Sequence, residues 1–138
     1  VTRTIAAHPI LADLLATAKA PPNPWRAPLP KARTVAIQAD KNLTFVQRSI
    51  TVKAGEPIKL TFTNPDEVPH NWVLIKPGTL ATVGELTNRI IAQPDAALKQ
   101  YVPDSADVLA YTDITPPGGV ATIYFRAPNE KGRYPYLC

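Results

Sequence analysis

The 138-residue chain has a single cysteine, Cys138, so no disulfide can form within it, and cysteine pairing carries no information on its redox compartment. It has no apolar run approaching the roughly 20 residues that a membrane-spanning helix needs. His8, Asp13 and Lys19 interrupt the apolar stretch at the start, which argues against a secretory leader there. It also lacks a basic stripe interleaved with aromatics. The formal charge of +4 comes from scattered residues such as Lys31, Arg33, Lys41, Arg48, Lys131 and Arg133, a pattern of solvated faces that argues against nucleic acid as a partner.

What is present fits one folded domain. Hydrophobic residues make up 45% and charged residues 19%, a globular rather than a disordered balance. Sixteen prolines favour strands and loops over long helices. The spacing of Ile10, Leu11, Leu14 and Leu15 predicts a short helix over 9–20, opened by Pro9. Five prolines between 21 and 30 predict a stiff linker, with Trp25 packing it onto the domain that follows. The chain begins with Val1 rather than Met, so it is expected to be a piece of a longer protein: 1–32 as helix and linker from an upstream region, 33–138 as the domain.

From residue 33 the apolar residues alternate. Val35, Ile37 and Ala39, then Ile58, Leu60 and Phe62, predict half-buried strands. Shorter strands are expected over 44–46, 49–52, 71–75 and 108–112, and a longer one over 120–126. Pro116-Pro117-Gly118-Gly119 predicts a type II turn. Val83, Leu86, Ile90 and Ile91 have helical spacing, and a second helical turn is expected over 95–101, so 82–101 reads as a helical excursion between strands. The fold class expected is all-β, a Greek-key antiparallel β-sandwich with a helical insert.

Two segments bear chemistry. In Val68-Pro69-His70-Asn71-Trp72-Val73-Leu74, period-two geometry puts His70, Trp72 and Leu74 on one face. Alone, His70 reads as a core histidine satisfied by a backbone carbonyl. In Gly132-Arg133-Tyr134-Pro135-Tyr136-Leu137-Cys138 the same geometry aligns Tyr134, Tyr136 and Cys138, and alone the cysteine reads as a small inert hydrophobe. Together they supply an imidazole and a thiolate from strand ends far apart in sequence. An electron-transfer copper site is built from such donors: two His and one Cys in a plane, with a weak axial ligand.

The run His70-Asn71-Trp72-Val73-Leu74 resembles the first histidine motif of the azurin and auracyanin cupredoxins. The run 114–138, with its Pro-Gly-Gly turn, its Thr122-Ile123-Tyr124-Phe125 strand and its Gly-x-Tyr-x-Tyr-x-Cys ending, resembles the strand pair that leads to their cysteine ligand. The insert at 82–101 lies where azurins carry their flap. The resemblance covers 33–138 and implies a type 1 copper electron carrier rather than an enzyme, by itself or within a larger redox enzyme. It implies His70 and Cys138 as metal ligands, the Pro69 backbone carbonyl as a long axial contact, and Asn71 as an outer-shell residue whose side chain ties the His strand to the loop beside the cysteine. It further implies redox partners such as cytochromes or copper oxidoreductases, tethering to another domain, and a periplasmic or otherwise extracytoplasmic location.

The family's second His and its Met follow the Cys. Here neither does: the sequence has no Met, and its one other histidine, His8, matches no ligand position. A domain without its last strand and these ligands is expected to be poorly stable and to bind copper weakly. Two alternatives stay open on the residues alone. One is a copper-free sandwich acting as a binding or structural module. The other is a thiol enzyme with Cys138 as nucleophile and His70 as base, for which no activating helix N-terminus or Gly-rich elbow is evident.

Overall fold

A computed structural model describes residues 23–138; the helix expected over 9–20, together with His8, lies outside the described residues. Among the described residues, seven strands form two sheets. The first, in the order β2-β1-β3-β6, comprises β1 (Arg33–Asp40), β2 (Thr44–Phe45), β3 (Pro57–Thr63) and β6 (Val120–Arg126). The second, in the order β5-β4-β7, comprises β4 (Val73–Ile75), β5 (Val108–Tyr111) and β7 (Tyr136–Leu137).

Alternation along the strands decides which side chains meet between the sheets. Val35, Ile37 and Ala39 of β1, Ile58, Leu60 and Phe62 of β3, and Ile123 and Phe125 of β6 are buried against Trp72, Leu74 and Ala110 from the second sheet. The opposite face of the second sheet, Val73 and Ile75, is covered by Val83 of the helix α1 (Leu80–Ile91) and by Val102. The helical insert is thus the lid of a second, smaller core. Trp25 follows Pro24 in a 3₁₀ turn, Pro24–Arg26, and packs partly buried against the main core, as expected. Asn23 anchors that turn by donating to the Tyr111 carbonyl at 3.0 Å and to Asp113 at 3.1 Å.

Three local expectations are corrected. The segment 49–52 is not a strand: Ile50 and Val52 pack against the core, but the backbone joins no ladder. Alternation there reports burial of side chains, not pairing. Residues 95–101 make successive turns rather than a helical run, and Gln100 and Tyr101 both adopt the left-handed backbone conformation. Pairing in the sandwich is antiparallel except for β1, which runs parallel to β3 from Arg33 beside Ile58 to Gln38 beside Thr63.

The Pro116–Gly119 turn takes the expected form. Gly118 has φ +75°, and the Gly119 N–H donates to the Pro116 carbonyl at 2.8 Å. No atom would meet a Cβ at Gly118, so Gly118→Ala costs only the left-handed strain of an L-residue, about 1–2 kcal/mol. A urea titration should show a lower midpoint of that size with an unchanged slope. A midpoint within experimental error of the parent would show that the turn is not held in this conformation.

Candidate metal centre

His70 stands just before β4, and Cys138 just after β7. β7 is antiparallel to β4, with Val73 beside Leu137 and Leu74 beside Tyr136, so this register returns Cys138 to the end of the sheet where His70 lies. Tyr136 clamps β7 between the sheets. Its ring packs on Phe45 at 5.3 Å and on Trp72 at 5.5 Å between centroids, and its hydroxyl donates to the Gln47 carbonyl. His70 is fixed from its backbone outward by an antiparallel bridge to Thr115: the His70 N–H donates to the Thr115 carbonyl at 3.0 Å, and the Thr115 N–H returns to the His70 carbonyl at 2.7 Å.

The consequence is convergence of the two sequence-distant groups. The Cys138 sulfur lies 3.5 Å from His70 Nδ1. The imidazole is fully buried and the cysteine is half-buried. Two donors on one ion, at nitrogen and sulfur distances of about 2.05 and 2.3 Å and an angle of about 110–120°, lie about 3.6–3.8 Å apart. The observed separation therefore fits a shared metal with almost no rearrangement. Among the described residues, no group of three or more His, Cys, Asp or Glu side chains could hold a metal ion.

The surroundings define the state of each group. The other ring nitrogen, His70 Nε2, lies 2.7 Å from Asp66 Oδ2. This contact holds the Asp66 carboxyl below the usual carboxylate range, helped by the Glu67 N–H. An ionised carboxylate only accepts, so Nε2 is the hydrogen-bond donor to Asp66 in this contact. Burial pushes the Cys138 thiol up, partly opposed by a hydrogen bond from the Asn71 backbone N–H.

Asn71 adjoins the site, with its backbone N–H turned to the cysteine. Its side-chain amide donates to the Gln100 carbonyl at 2.9 Å and ties the His strand to the 92–101 segment. Gln100 in turn accepts the Ile114 N–H at 2.7 Å. Pro69 is exposed and immediately precedes the ligand candidate His70.

Two residues here were not singled out by sequence reasoning. Asn64 and Asp66 read only as strand breakers in Asn64-Pro65-Asp66. Asn64 is buried and organises the loop: its amide donates to the carbonyls of Val68 at 2.8 Å and Thr115 at 2.9 Å, and its oxygen accepts the Asp66 N–H at 3.0 Å. An Asn or Asp closing a strand ahead of Pro is a frequent turn signal, so nothing in the pattern marked these two as site residues.

Residues 32–138 match the family model described as copper binding proteins, plastocyanin/azurin family. The chain belongs to the plastocyanin/azurin family of copper-binding proteins. Within this family it is similar to auracyanin-A of Chloroflexus aurantiacus, 30% identical over 100 residues covering 71% of this chain and 59% of that protein. The chain thus spans about three fifths of the length of that curated relative. Among solved structures it is similar to dithionite-reduced auracyanin from Roseiflexus castenholzii, at 34% identity and a TM-score of 0.65, covering 78% of this chain and 85% of that one. It is also similar to auracyanin B, at 30% identity and a TM-score of 0.68, covering 86% of each chain. The two-sheet architecture with a helical insert is therefore the cupredoxin fold of this family.

Proposed function

We propose that this chain carries a type 1 copper electron-transfer module in which His70 Nδ1 and Cys138 Sγ are two of the copper ligands. The observation that carries the reading is the 3.5 Å approach of those two atoms in a member of a copper-binding family. A similar protein, auracyanin A, is described as a "blue" copper protein. A second imidazole and a weak axial side-chain donor complete such a set, and neither is assigned to a described residue. The Pro69 carbonyl is proposed as a long axial contact.

Copper, when bound, supplies the one-electron Cu(II)/Cu(I) couple. The protein's part is to hold its donors still through the change of oxidation state. The Thr115 bridge fixes His70, the Tyr136 clamp fixes β7, and the Asn71 N–H fixes the sulfur, so little rearrangement accompanies transfer. The chain is proposed to be a carrier rather than an enzyme, to dock weakly on redox partners such as cytochromes or copper oxidoreductases, to be tethered to another domain, and to work outside the cytoplasm. The thiol-enzyme alternative is disfavoured because burial raises the Cys138 thiol, whereas an activated nucleophile needs its thiol lowered.

Adding Cu(II) to the full-length protein is expected to give an intense visible absorption that a mild reductant bleaches. Replacement of His70 by Ala should remove it. A full-length protein that stays colourless with Cu(II) in stoichiometric excess would overturn the reading.

A further inference from the structure

The Asp66 carboxylate has no part in the ligand set, yet it makes the shortest polar contact to the imidazole ring of the ligand candidate, 2.7 Å from Oδ2 to His70 Nε2. We propose that Asp66 is a positioning residue for the metal: it holds the His70 ring by its far nitrogen, so that the Nδ1 lone pair faces the Cys138 sulfur and is free to bind. This rests on the copper reading of the His70–Cys138 pair.

With the carboxylate on its far side, the neutral ring is held as the tautomer that leaves Nδ1 unprotonated. The carboxylate accepts, so Nε2 donates and Nδ1 is left as the free donor atom for a metal. The contact is also built rather than incidental. Asp66 is set by its own backbone N–H, which donates to the buried Asn64 side chain at 3.0 Å, and Asn64 is locked to the Thr115 carbonyl opposite His70. The His70 side chain is wholly inaccessible and that of Asp66 only 16% exposed, so water competes little for Nε2. A carboxylate behind a metal-bound imidazole raises its basicity and fixes its orientation. A negative charge there also favours Cu(II) over Cu(I).

The test compares the full-length protein with Asp66→Ala and Asp66→Asn. In the metal-free protein, nitrogen-15 NMR of His70 should show a protected Nε2–H resonance that is lost in Asp66→Ala and shifted but retained in Asp66→Asn, whose amide oxygen still accepts. Cu(II) affinity, read by the visible band, should fall about 10–100-fold in Asp66→Ala and less in Asp66→Asn. The reduction potential should rise in Asp66→Asn, which keeps the shape and removes the charge; a merely structural residue would leave it unmoved. If the parent shows the band and both variants keep its affinity and potential, the Asp66 role is overturned and the copper reading stands. If the parent shows no band, both fall. An unprotected Nε2–H in the metal-free parent overturns the Asp66 role alone.

Discussion

Replacing Cys138 by Ser is expected to abolish the visible band of the copper-loaded full-length protein completely while leaving it folded. The band requires a sulfur donor whose electrons move to Cu(II); a serine hydroxyl is a hard donor that stays protonated near neutral pH. Copper affinity should drop by more than the about 10–100-fold that loss of an outer-shell partner costs, because a ligand itself is gone. Stability should change little, by about 1 kcal/mol, since the side chain is half-buried and β7 is held by Tyr136 and by its pairing with β4. Absorption and far-UV circular dichroism on the same sample check the two halves together. Retention of the band in Cys138→Ser would mean that the sulfur comes from elsewhere.

Trp72→Ala should have the largest effect on the fold, about 3–5 kcal/mol. Trp72 is fully buried where the sheets meet. It stacks on Phe125 of the first sheet at 5.8 Å and touches Tyr136 of the second at 5.5 Å. Its removal opens a cavity beside the strand that carries Cys138, so copper uptake should weaken along with stability. Its indole N–H is buried without a hydrogen-bond partner. Trp72→Phe loses ring volume but also removes that orphan donor, and should therefore cost clearly less than Trp72→Ala. Urea midpoints at a common slope measure both. A loss below about 1 kcal/mol for Trp72→Ala would contradict its place at the centre of the core.

These two residues also mark how far the sequence could be read. Ile58, Leu60 and Phe62 alternate because β3 is buried on one side only, and the strand follows from that pattern. Pro117 and Gly118 preset the angles of their turn, so the turn is written locally. His70 and Cys138 are 68 positions apart, and their donor chemistry together with the resemblance of both segments to the cupredoxin motifs suggested a meeting point. What stayed hidden depends on register and on loops. Nothing in the residues of β1 distinguishes a parallel neighbour from an antiparallel one, because both bury the same face. Ile50 and Val52 are partly buried against the core like strand residues, but their backbone is not paired. The Asp66–His70 contact joins two loop positions whose approach is decided by Asn64, a buried amide that local pattern presents only as a turn former.

Copper-edge X-ray absorption on the copper-loaded full-length protein tests the central claim most directly. The expected first shell contains a short sulfur contact together with imidazole nitrogen, the sulfur vanishing in Cys138→Ser and the imidazole signal diminishing in His70→Ala. A first shell of nitrogen and oxygen alone in the parent protein, unchanged by either substitution, would contradict it.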